Sequence, residues 1–104
     1  MLLALDAGNS NITIGAFEGQ TLIGRWRLRT ILEQTADEWG VLMRNLFALA
    51  SLDLARVDGI IIASVVPTLD APLAAMAETT LLISVTSLTI RSNALPVSTT
   101  RPTP

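Results

Sequence analysis

The sequence predicts an α/β fold: a sheet that opens as an antiparallel meander and continues with strands alternating with helices, in the order β-β-β-α-β-α-β. Three observations predict it. Residues 2–29 hold three short β-branched or alternating runs separated by turn-length gaps. Residues 35–50 switch to apolar spacings of three and four. A near-continuous apolar run then leads into a second, proline-opened helical stretch. At 104 residues, half of them apolar, the chain has core material for one domain and no room for two.

The elements follow in order. Residues 2–5 are a short apolar run ending in Asp6-Ala7-Gly8-Asn9, a buried strand entering a turn. Residues 11–17 are β-branched with partial alternation, and Glu18-Gly19-Gln20 gives a hairpin-length connection. Thr21–Arg29 alternates, placing Leu22, Gly24, Trp26 and Leu28 on one face and Ile23, Arg25, Arg27 and Arg29 on the other. Thr35 followed by Glu38 is a capping box in front of Trp39, Leu42, Met43, Leu46, Phe47 and Ala50, a helix of about four turns. Its rows Leu42/Leu46/Leu49 and Met43/Phe47/Ala50 are expected in the core, with Trp26 and Trp39 as core or interface anchors. Residues 53–58 form a polar connector, residues 59–66 a strand covered on both faces, and Pro67 opens a second helix to about Thr79. Residues 81–85 are expected to form the fifth strand. Residues 86–104, rich in Ser, Thr and Pro, read as a tail that is poorly ordered or foreign to the domain formed by residues 1–85.

Composition narrows the chemistry. The net charge is −2 and only 15% of residues are charged, which excludes nucleic-acid binding through a basic surface. All seven basic residues are arginine, so no lysine Schiff base or Walker-type lysine exists; with no Cys and no His, thiol, zinc and imidazole chemistry are excluded too. The opening apolar run is broken at Asp6, far short of the roughly 20 residues of a membrane span, and lacks the basic flank of a signal peptide. No membrane partner is expected, and a cytoplasmic location is.

The segment that carries chemistry is Asp6-Ala7-Gly8-Asn9-Ser10-Asn11, at the turn between the first two strands. Gly8 lets the backbone approach an anion, and the turn amides with Ser10 and Asn11 can donate to phosphate oxygens. Asp6 repels phosphate, so its natural role is to hold Mg²⁺ through water. A plain hairpin turn, with Asp and Asn chosen for turn chemistry, explains the same residues equally well. Thr35-Ala36-Asp37-Glu38 read alone is a helix cap, and Ser64-Val65-Val66-Pro67 a strand end with proline starting a helix. Arg25, Arg27 and Arg29 could meet a phosphate or a partner chain, and a solvated strand face accounts for them at least as well.

Taken together, Leu3-Ala4-Leu5-Asp6-Ala7-Gly8-Asn9-Ser10-Asn11, Trp26-Arg27-Leu28-Arg29-Thr30, Thr35-Ala36-Asp37-Glu38 and Ile62-Ala63-Ser64-Val65-Val66-Pro67 closely resemble the N-terminal part of type III pantothenate kinases. The resemblance covers residues 1–85, with Ser10 where the family usually has Thr. It implies a ribonuclease-H-like half-domain of the actin-like ATPase and sugar-kinase superfamily. It also implies that Asp6, Ala7, Gly8, Asn9, Ser10, Asn11, Ile12 and Thr13 form the first ATP phosphate loop, with Asp6 holding Mg²⁺. The implied reaction is ATP-dependent phosphorylation of pantothenate, the first committed step toward coenzyme A. A monovalent cation (K⁺ or NH₄⁺), bound outside this chain, and a homodimer come with it.

The family's Gly-Ala-Asp-Arg motif, with the proposed general base, has no match in residues 98–104. This chain is therefore expected to be an inactive N-terminal part with no catalytic residue of its own. The competing readings are a non-catalytic, dimerising interaction module and another phosphotransferase of the superfamily.

Overall fold

The structure, a computed structural model, describes residues 1–83 and the backbone of residues 87–90. Strands β1 (Leu2–Ala7), β2 (Asn11–Glu18) and β3 (Thr21–Arg29) lead into helix α1 (Ala36–Leu49). A single 3₁₀ turn (Leu54–Arg56), strand β4 (Gly59–Ser64), helix α2 (Pro67–Thr80) and strand β5 (Ser87–Ile90) follow. The sheet order is β3-β2-β1-β4-β5. The first three strands form the antiparallel meander, while β4 lies parallel to β1 and β5 parallel to β4.

Strict alternation divides the sheet into two faces. Leu3, Leu5 and Ala7 of β1, Ile12, Ile14 and Ala16 of β2, and Ile60 and Ile62 of β4 are all buried. They form one core with Trp39, Met43 and Phe47 of α1 and Leu69, Leu73, Met76 and Ala77 of α2. Trp26 closes the β3 end of this layer, its ring centroid 5.3 Å from that of Phe47. The two helices approach closely where Gly40 meets Thr80, since a Cβ at position 40 would run into the Thr80 hydroxyl.

Helix α1 begins as its sequence dictates: Glu38 N–H donates to Thr35 Oγ1 and Thr35 N–H to Glu38 Oε1, at 3.2 and 2.8 Å. Its core stripe is narrower than expected. Leu42 and Leu46 are only partly buried, Ala50 is exposed, and Leu49 is 85% exposed. At 100° per residue Leu49 lies well round the cylinder from Trp39, Met43 and Phe47, and Ala50 is already the cap residue. The helix ends with Ser51 at φ 58°, Ser51 N–H donating to Ala48 O and Leu52 N–H to Phe47 O.

Three further expectations need correction. Strand β4 ends at Ser64 and is covered on one face only, with Ile61 exposed on the other. A register shift between Ala16 and Phe17 pairs Phe17 with Leu22 and leaves Ile23 as the extra residue. Leu22 therefore stands beside Phe17 and Gly15 on the face away from the helices, while Ile23 packs against the core. The fifth strand is Ser87–Ile90; of the expected strand 81–85, residues 81–83 are not strand and residues 84 and 85 lie outside the described residues. Leu81 is the C-cap of α2, Leu82 turns at φ 59°, and the N–H groups of Leu81 and Ile83 both donate to Ala77 O, so this apolar run ends a helix. Of the expected tail 86–104, residues 87–90 are the fifth strand, and residues 86 and 91–104 lie outside the described residues.

Candidate functional site

Strands β1 and β4 run parallel side by side, with Ala7 in register with Ser64, so their carboxyl ends lie together. From that end the chain leaves in opposite directions, from β1 into the β2 hairpin and from β4 into α2. Such a divergence at the carboxyl ends of parallel strands is where open α/β sheets form ligand crevices. The loop of residues 8–11 and the start of α2 both open there.

The loop is held from two sides. Gly8 N–H donates to Asn11 O at 2.9 Å, which closes the turn. Thr30, just past β3, donates its hydroxyl to Gly8 O at 2.7 Å and its N–H to Ser10 O at 3.0 Å. On the other side Val65 N–H donates to Ala7 O at 3.1 Å. Ser64 Oγ, buried, accepts from Val66 N–H at 3.0 Å and donates to Val66 O at 3.1 Å, so Ser64 shapes the turn into α2. That helix starts at Pro67 with no side-chain hydrogen bond at its cap, and brings the positive end of its dipole to the same sheet end.

These ties leave a defined set of groups unengaged. Among the described residues, the amides of Asn9 and Ser10 find no backbone acceptor. The side chains of Asn9, Ser10 and Asn11 are exposed. Gly8 has an added-Cβ distance of 3.3 Å to Asn11 O, so a side chain there would press on the turn's own carbonyl. Asp6 is exposed on the helix-free face, in register with Thr13 on one side and Ala63 on the other. Ala7 and Ile12, by contrast, point into the core and can offer a ligand only backbone groups. Thr30 is the contributor that residue-type reasoning passed over. Its signal was its place one residue beyond an arginine-bearing strand, which becomes informative only once β3 is known to end beside the loop.

Among the described residues no group of three or more carboxylates or other metal ligands converges. A lone, exposed carboxylate at a strand end suits a Mg²⁺ that keeps most of its water and arrives with phosphates, not a protein-built cage. No helix is long and apolar enough to cross a membrane among the described residues.

The sequence model of the type III pantothenate kinase family matches residues 2–104, beyond the stretch on which the motifs lie. The chain is similar to the type III pantothenate kinase of Solibacter usitatus, 70% identical over 78 residues, which is 75% of this chain and 30% of that protein. The Geotalea daltonii enzyme of the same name is 51% identical over 69 residues, 66% of this chain and 27% of that one. The chain thus spans about a third of the length of the curated relatives it matches. Among solved structures, the ROK hexokinase of Thermus thermophilus superposes with a TM-score of 0.60 at 17% identity, over 89% of this chain and 35% of that chain. A putative N-acetylglucosamine kinase of Porphyromonas gingivalis gives 0.61 at 14% identity, over 89% and 34%. The chain therefore has the fold of about a third of each of these two kinases.

Proposed function

The chain belongs to the type III pantothenate kinase family, and from that premise we propose that residues 6–13 are the phosphate-binding part of an ATP:pantothenate phosphotransferase. One observation supports this above the others: the tied loop 8–11 leaves free amides and small polar side chains at the shared carboxyl end of β1 and β4, beside Asp6. In this reading Asn9 and Ser10 donate to phosphate oxygens through their amides, and Ser10 and Asn11 through their side chains. Thr13 adds a hydroxyl beside Asp6, and Ala7, Gly8 and Ile12 fix the backbone path. Asp6 holds Mg²⁺ through water, and that ion, when bound, neutralises charge on the phosphates. The location is cytoplasmic, the assembly a homodimer, and the monovalent cation is bound by residues outside this chain.

The 104 residues supply the nucleotide half of the requirement. Phosphoryl transfer also needs the acceptor hydroxyl held in line with a base in reach. Of the other carboxylates, Glu38 caps α1, Asp53 caps the 3₁₀ turn, Asp58 pairs with the terminal amine of Met1 and Glu18 with Arg56, and the base is assigned to none of them. Assayed as given, the chain should release ADP with pantothenate and Mg·ATP at background rate; pantothenate-dependent turnover lost in Asp6→Asn would overturn that. Nucleotide binding is tested by titration calorimetry of Mg·ATP against the chain, Asp6→Ala and Gly8→Val. Weak binding by the first and weaker by both variants is expected. Equal binding by all three would sink the loop assignment.

A further inference from the structure

Three of the seven arginines, Arg25, Arg27 and Arg29, stand on β3 and project from the helix-free face. None is ion-paired among the described residues, whereas Arg56 lies 2.8 Å from Glu18. Like charges two residues apart on one strand face repel, about 7 Å from each other. In a protein of net charge −2 this local excess asks for an anion. Protection of an exposed sheet edge would also use charge, but would be indifferent to which end of the strand carries it.

The register is not indifferent. Arg29 pairs with Asn11 and Arg27 with Thr13, and Thr13 in turn pairs with Asp6. Asp6, Thr13 and Arg27 thus form one row across three strands on the same face, Arg27 about 10 Å from Asp6 at the usual strand spacing. Arg29 precedes Thr30, whose two hydrogen bonds hold the loop. Toward the other end the same face turns apolar, with Leu2, Phe17, Leu22 and Ile61.

We infer that Arg27 and Arg29 form a cationic wall of the phosphate site, donating to the terminal phosphate oxygens of a nucleoside triphosphate from the side opposite Asp6. The inference rests on the phosphate-loop reading above. With no lysine in the chain, arginine is the only side chain that can supply this charge, and its planar fork suits phosphate.

The test uses the whole chain and two probes, inorganic tripolyphosphate without metal and Mg·ATP. Arg27→Gln and Arg29→Gln should each weaken tripolyphosphate binding about tenfold. Arg44→Gln, an equal charge loss on the exposed side of α1, should change it by less than about twofold. Asp6→Asn should tighten metal-free tripolyphosphate, by removing repulsion, and weaken Mg·ATP. If Asp6→Asn leaves Mg·ATP binding unchanged while the β3 variants lose tripolyphosphate, the metal role of Asp6 fails and the arginine wall stands. Absence of tripolyphosphate binding by the unmodified chain overturns the inference. So do wild-type affinity in Arg27→Gln and Arg29→Gln, and an equal loss in Arg44→Gln.

Discussion

The two faces of one sheet behave as two different molecules. On β2, Ile12, Ile14 and Ala16 are at most 1% exposed under the helices, while their immediate neighbours Asn11 and Thr13 face the open side. The covered face is apolar except at Ser64, because close packing of apolar side chains is most of what it needs. The open face is graded: apolar at Leu2, Leu22 and Ile61, polar at Asp6, Thr13, Arg27 and Arg29. Strand alternation thus separates, residue by residue, the side chains that build the core from those left open to a ligand. Substitutions one position apart should therefore report on different properties.

The largest expected effect lies on the covered face. Ile14→Ala should lower unfolding free energy by about 2–5 kcal/mol, through lost burial and a cavity, measured as a shift in urea midpoint. Next comes the helix contact: Gly40→Ala pushes a methyl into Thr80 and should cost about 1–3 kcal/mol. Thr80→Ala should relieve most of that cost in the double variant, a coupling that a double-mutant cycle reads directly. Thr30→Val removes the 2.7 Å hydrogen bond to Gly8 O and should cost about 1 kcal/mol, with faster amide exchange in residues 8–11. Smallest is Thr13→Ala, within about 0.5 kcal/mol of wild type in stability while weakening Mg·ATP binding. A Thr13→Ala loss as large as that of Ile14→Ala would break the division of labour between the faces.

Local chemistry that announces its partner was legible in the sequence. Thr35 and Glu38 carry their own reciprocal bonds within four residues, and the strand Thr21–Arg29 was bounded correctly by its alternation and turn. What escaped depended on signals the residues do not carry. Ser51 and Leu82 adopt left-handed backbone where a glycine would have marked a helix end. Without that mark, residues 81–85 read as a strand. The bulge that exchanges the faces of Leu22 and Ile23 arises from pairing with β2, not from β3 itself. At the site, Asp6 and Gly8 stood out by type, but Thr30 and the row from Asp6 through Thr13 to Arg27 exist only through strand register.

In the function proposed above, the polar end of the open face, at residues 6–13, receives the phosphates of a metal-bound nucleotide. Amide chemical shifts followed as Mg·ATP is added to the chain and to Asp6→Asn test it most directly. The largest changes should fall on Asn9, Ser10 and their neighbours in residues 6–13, with a smaller response at Val65, and should shrink severalfold in Asp6→Asn. Changes centred elsewhere, for example around Gln34 before α1 and Val41 on it, or an identical response in both proteins, would contradict it.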